Sequence, residues 1–183
     1  MTTTGTGAAA GIAAISGGAD ERPWRRWSTL GAVLGLLHWF FGNLYEAVVI
    51  SPNWVVESPA QLTRLNDFFA RTSPTLYFVP VLVVAVALTW WLWATARGSV
   101  AATAYRRAGW LAVVAMAVNT VVVVTVVSVL FGDEATRADA DLTAYAWRWN
   151  VLNVVRMVLV AATAVQLFEA FRRLDRAAEP AQT

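Results

Sequence analysis

TLYFVPVLVVAVALTWWLWAT, residues 75–95, runs for 21 positions without a charged side chain. About 20 apolar residues in a helix cross a hydrocarbon core of ~30 Å. In water the valines here would favour a strand. In lipid the backbone must satisfy its own hydrogen bonds, and that requirement overrides the preference. Three more such segments lie around it, at about 28–50, 108–131 and 147–168. One long apolar run could be a buried soluble helix, but four in 183 residues describe a multi-pass membrane protein. The expected fold is all-α: a bundle of four transmembrane helices over residues 23–173, with residues 1–22 and 174–183 as tails. The first tail is rich in Thr, Gly and Ala and has no charge before Asp20, so it reads as disordered and not as a secretory signal.

Composition agrees. Hydrophobic types make up 58% and charged types 14%, against ~25% charged in ordinary soluble domains. Mean hydropathy is +0.53. The absence of cysteine excludes disulfides, thiolate metal sites and cysteine nucleophiles, and a single histidine excludes sites that need two from one chain. A formal charge of +2, carried by scattered arginines, gives no nucleic-acid footprint.

Arginine placement sets the topology. Arg22, Arg25, Arg26, Arg97, Arg106, Arg107, Arg172, Arg173 and Arg176 flank one side, and Arg64, Arg71, Arg137 and Arg148 the other. The positive-inside rule then puts both termini in the cytoplasm. Trp24, Trp27, Trp90, Trp91, Trp93 and Trp110 fall at the inner interface, Trp54, Trp147 and Trp149 at the outer one, and Trp39 at mid-depth. In the first outer loop, Ser58-Pro59-Ala60-Gln61 reads as a helix start, with Ser58 as cap and Gln61 completing a capping box. Leu62, Leu65, Phe68 and Phe69 form an apolar stripe, so this short amphipathic helix lies on the membrane or covers a pocket. The arginine-only, Ala/Val-rich usage points to a GC-rich bacterial genome and the bacterial cytoplasmic membrane.

Polar residues inside spans are costly and need an account. On helix one, Gly31, Gly35, His38, Gly42 and Tyr45 share a face, with Glu46 beside it and Asn43 one turn earlier. The glycines allow a neighbouring helix to approach closely, so His38 points at a packed neighbour or a cavity. On helix four, Tyr145, Trp149, Asn153 and Arg156 form one stripe. Arg156 lies ~13 Å inside Trp147 at ~1.5 Å per residue. Depth matching places Asn43, Tyr45, Glu46, Asn153 and Arg156 in one layer of the outer half, with His38 at its floor. Thr120, Thr125 and Ser128 on helix three read as ordinary interhelical hydrogen-bonding residues, and Asn119 as one that could line a site.

The layer suits cofactor-free acid–base chemistry on a lipophilic small molecule: isomerisation, cyclisation, epoxide opening, or oxygenation of an easily oxidised enolate. Catalytic roles are expected for His38, Glu46 and Arg156, and substrate contacts for Asn43, Tyr45, Trp149 and Asn153. No cofactor is expected, and His38 with Glu46 supplies too few ligands for a metal site. The partners expected are membrane lipid, a lipophilic small-molecule substrate and, in some arrangements, a second copy of the chain. The alternative is a buried polar layer that fixes packing in a non-catalytic subunit or a lipid-binding or assembly protein. A transporter is disfavoured by the small helix number and the lack of an inverted repeat.

Trp149-x3-Asn153-x2-Arg156, followed by an Ala/Val run, resembles the last helix of the anthrone-oxygenase-like family of small four-helix membrane proteins. The resemblance extends loosely to size and helix number. It implies oxygenation of anthrones to anthraquinones without a bound cofactor, and carries over Asn153, Arg156 and Pro52 alone. Helix one departs from the family pattern at Gly42-Asn43-Leu44-Tyr45-Glu46 and looks like a separate branch.

Overall fold

The computed structural model describes residues 23–179, apart from 70, 73 and 139. Among these residues all regular structure is helical. Four helices are long and apolar enough to cross a membrane: α1 (Pro23–Val55), α3 (Leu76–Ala94 within Pro74–Ala94), α4 (Ala102–Leu130) and α6 (Leu142–Ala178). Between them lie two short helices, α2 (Ser58–Phe68) and α5 (Glu134–Ala138).

Every long helix except α3 is longer than the apolar run that announced it. α1 begins at Pro23, where a missing N–H costs nothing, and continues past Ile50 to Val55. α4 begins at Ala102, because Ala104 and Tyr105 are already core residues. α6 begins at Leu142, where the Asp141 side chain accepts the Ala144 N–H. It runs on to Ala178, so residues 174–178, expected in the C-terminal tail, are helical and Leu174 is buried. The N-terminal tail, 1–22, lies outside the described residues.

Two helices contain a wide turn. In α1 the turn Glu46–Ile50 is a π-turn, closed by the Ser51 N–H donating to the Glu46 carbonyl five residues back. Pro52 follows it. A proline ring crowds the carbonyl four residues earlier and cannot donate, and a widened turn relieves that crowding. In α4 the turn Val123–Val127 is also π, closed by Ser128 N–H onto the Val123 carbonyl. No proline accompanies it, and the sequence offers no signal for it.

The long helices pack antiparallel in a ring. α6 lies against α4 and α1, α1 also against α3, and the α3–α4 side is the least extensive. The α1–α3 contact depends on glycine. A Cβ at Gly35 would stand 2.7 Å from the Ala85 Cβ, and one at Gly42 would run into the Phe78 ring.

The apolar core is split in two. Toward the chain termini it comprises Ala32, Leu36, Trp39, Tyr105, Val160 and Leu167 with their neighbours. At the other end it comprises Trp54, Leu62, Val122, Val126, Leu130 and Trp149. α2 belongs to this second core, since Leu62 is fully buried and Ser58 accepts a hydrogen bond from Thr143 at 3.3 Å. It therefore packs on the bundle end as a plug. Its start differs from expectation. Ser58 donates back to the Val55 carbonyl instead of capping, and Glu57, at φ 54°, turns the chain. Phe68 is 80% exposed, so the apolar stripe is buried at Leu62 and open at Phe68. Trp54 and Trp149, expected at an interface, are core residues packed edge to face at 5.0 Å. The loop helix α5 was not expected. Asp133 accepts the Thr136 N–H at 2.8 Å, and hydrogen bonding to Thr136 holds its carboxyl below the usual range.

Candidate functional site

Arg156 sits between the two apolar cores and is 6% exposed. Three carboxamides from three helices hold its guanidinium. Nη1 donates to Asn119 Oδ1 of α4 at 2.9 Å. Nη2 donates to Asn153 Oδ1 of α6 at 2.6 Å and to Asn43 Oδ1 of α1. The amides are themselves fixed. Asn43 Nδ2 donates to the Trp39 carbonyl at 2.8 Å, and Asn153 Nδ2 to the Asn43 carbonyl at 3.2 Å. The guanidinium lies 5.9 Å from the centre of the Trp39 ring. Its Nε–H is buried without a partner.

Local sequence explains this convergence. Trp39 and Asn43 are four apart on α1, and Asn153 and Arg156 three apart on α6, so each pair shares a face. The four lie on the sides of their helices that meet.

Glu46 is half-buried at the start of the π-turn. Arg156 is the charge that acts on it. Yet the ion pairs formed among the described residues are Arg26–Asp175 and Arg173–Glu169, both exposed and remote from it. Glu46 has neither an ion pair within 4.0 Å nor a side-chain hydrogen bond among the described residues. The expected buried ion pair is thus replaced by an arginine held by amides, with a free carboxylate nearby.

The other expected site residues are placed as follows. His38 is not at the floor of this layer. Its ring packs 4.4 Å from Tyr77 and 6.4 Å from Phe78 on α3, and its Nε2 is buried without a partner. It does point at a packed neighbour, as the glycine face implied. Helix geometry separates it from the arginine, because Trp39, about 100° further round α1, takes the α6-facing position. Tyr45 is 57% exposed on the outside of the bundle and does not join the layer. Trp149 is buried one turn above Asn153, against Trp54, and packs instead of offering a polar contact.

One residue read as able to line a site joins the cage, and one polar feature escaped the sequence reading. Asn119 closes the arginine cage, whereas Thr120, Thr125 and Ser128 donate to carbonyls of their own helix and cross to no neighbour. A second chain runs from Trp54 Nε1 to Ser51 Oγ and on to Asn150 Oδ1, each step 2.7 Å. Ser51 stood at the expected end of helix one, and nothing marked it as a bridging residue. Among the described residues no three His, Asp or Glu side chains cluster closely enough to hold a metal ion.

No family model matches the sequence, and neither a curated protein nor a solved structure matches it. Fold and site together define a class: a bundle of four membrane-length helices with a buried arginine caged by asparagines and, one helix turn along α1 from Asn43, a glutamate unpaired among the described residues.

Proposed function

We propose that this is an integral membrane enzyme that performs acid–base chemistry on a lipophilic small molecule without a cofactor, Glu46 accepting the proton and Arg156 stabilising the anion. The observation that carries this reading is the Glu46 carboxyl, which has no ion pair or side-chain hydrogen bond among the described residues. A polar layer kept for packing would close its acid onto its base, since an unpaired charge inside a span is costly. Here the amides of Asn43, Asn119 and Asn153 hold both Nη atoms of Arg156, and Glu46 is left over. A group retained at a stability cost is the usual mark of a working residue.

The chemistry follows from the two groups. Glu46 takes a proton from a carbon beside a carbonyl, and the electron pair moves to the carbonyl oxygen. The resulting oxyanion is stabilised by the positive charge of Arg156. Reprotonation at another carbon gives isomerisation; attack of the enolate carbon on a second carbonyl of the same molecule, whose oxygen then takes the proton, gives cyclisation. An enolate that reacts with dioxygen gives oxygenation, in which a CH2 becomes C=O and the second oxygen atom leaves as water. Four electrons leave the carbon and four reduce the dioxygen. The resemblance of helix α6 to the anthrone-oxygenase-like family favours this last course, with Asn153 and Arg156 as the shared residues. His38 and Tyr45 take no part in it. The basic flanks support cytoplasmic termini, and composition favours the bacterial cytoplasmic membrane.

One observation favours a second reading, a non-catalytic subunit. The arginine cage ties three helices together as a structural device would. Oxygen uptake by the protein in lipid nanodiscs, with an anthrone and with a panel of lipophilic phenols, separates the two. Turnover by the parent is expected, with a loss of ~10²–10⁴-fold in Glu46→Gln at unchanged helical content. Background uptake by the parent throughout, or equal rates in Glu46→Gln, would overturn the enzymatic reading.

A further inference from the structure

The outer seam between α4 and α6 is open at the Trp54 end of the bundle. The gap there is a groove of about 500 Å³, within the ~300–1,000 Å³ range of small-molecule sites. Its floor is apolar, made by Val126, Val151 and Leu152. Val126 is buried, while Val151 is 62% exposed and looks outward. Tyr145, Trp147 and Arg148 form its rim. The α4 wall contains the π-turn Val123–Val127, whose extra residue widens the helix at this level.

The order of chemistry along the groove is that of an amphiphile. Arg148 lies ~9 Å along α6 from Leu142, at interfacial depth. Its guanidinium stands 5.1 Å from the centre of the Tyr145 ring. It is exposed and has no ion pair among the described residues, although acidic residues occupy the adjoining loop. Exposed Trp147 beside it is the residue type that settles at headgroup level. Thr125 adds no free donor, because its hydroxyl donates to the Val121 carbonyl. The groove therefore presents one strong cation, framed by aromatic rings, above an apolar trough that faces the hydrocarbon.

We propose that this groove binds an anionic phospholipid, with the phosphate on Arg148 and an acyl chain along Val126, Val151 and Leu152. Charge complementarity selects the headgroup, since a guanidinium pairs with phosphate oxygens through two parallel N–H donors. The apolar residues Val151 and Leu152 follow Arg148 by about one turn along a membrane-length helix, and an apolar lining favours an amphiphile over a small soluble anion. The site stands apart from Arg156, two helical turns deeper, and does not rest on the catalytic reading.

Native mass spectrometry of the full chain tests this, with phosphatidylglycerol and phosphatidylcholine of identical acyl chains added to the detergent solution. One phosphatidylglycerol should be retained about fivefold more tightly than phosphatidylcholine, the effect of one interfacial arginine. Arg148→Gln should abolish that preference at unchanged helical content. Val151→Trp, which fills the trough, should weaken both lipids. Equal retention of the two lipids by the parent, a preference that survives Arg148→Gln, or tight binding that survives Val151→Trp would overturn the proposal.

Discussion

Arg156 shows how a single side chain can organise a membrane-length bundle. Its charge is too costly to leave unsolvated at this depth, and the nearest acid is not in contact with it. The oxygens of Asn43, Asn119 and Asn153 act as the solvent instead, and each comes from a different helix. Removing one of them leaves a buried donor of a charged group unmet. Asn119→Ala should therefore lower stability by ~1–2 kcal/mol, above the ~0.6 kcal/mol average for interhelical hydrogen bonds in membranes because this partner is charged. Reversible unfolding in mixed micelles measures it, and a double-mutant cycle with Arg156→Met should return a coupling of ~0.5 kcal/mol or more. A coupling near zero would show that the Asn119 contact does not stabilise the arginine. Much of this cage was legible in the sequence. Asn153 and Arg156 recur on one stripe, and depth matching brought Asn43 to their level. Asn119 was less legible because a lone amide in a valine-rich helix looks like any interhelical donor. His38 was misplaced for a geometric reason. Depth matching gives height and not azimuth, and a single step along α1 turns a side chain from α6 to α3.

The same limits hold for whole elements. Four spans could be read because lipid demands long apolar runs, and the structure returns four. Their ends could not, because the interfacial turns of α1, α4 and α6 are helical without being apolar. Arg106 and Arg107 lie inside α4, and Arg172, Arg173 and Arg176 inside α6. The π-turns were illegible as well, since one extra residue per turn changes no periodicity over so short a stretch. The close approach of α1 to α3 was legible in its glycines, and it makes a sharp prediction. At Gly35 an added methyl group meets the Ala85 Cβ, which has no rotamer to move into. Gly35→Ala gains helix propensity of ~1 kcal/mol but forces the two backbones apart, at a cost of ~1–3 kcal/mol for overpacking. The net expectation is a lower unfolding midpoint, with Gly35→Ala/Ala85→Gly recovering at least half of the loss. A single variant as stable as the parent would mean that the helices separate freely and that the contact is loose.

At the scale of the whole molecule, four membrane-length helices put Pro23 and Ala178 at the same end of the bundle. Side choice rests on charge alone, because the bundle presents apolar surface along its length, with Leu34, Val83, Val124 and Val158 all more than half exposed. The short connection between α3 and α4 carries Arg97 and leads into Arg106 and Arg107, without an acid. The connections at the other end carry as many arginines, Arg64, Arg71 and Arg137, but among the acids Glu57, Asp67, Asp133, Glu134, Asp139 and Asp141, so the arginine excess on the first side comes from Arg25, Arg26, Arg172, Arg173 and Arg176. By the positive-inside rule such a bias is expected to orient a multi-pass chain with the α3–α4 turn in the cytoplasm. The native chain has no cysteine, so a single introduced thiol reports without background. Thr63 on α2 and Thr103 at the start of α4 are both exposed, and they sit at opposite ends of the bundle. In intact spheroplasts a membrane-impermeant maleimide should label Thr63→Cys and spare Thr103→Cys until the membrane is opened. The reverse pattern would invert the bundle. It would also move the phospholipid groove at Arg148 to the cytoplasmic leaflet, leaving its chemistry unchanged. Labelling of both variants in sealed spheroplasts would contradict a single orientation, and with it the reading of the arginines as a topological signal.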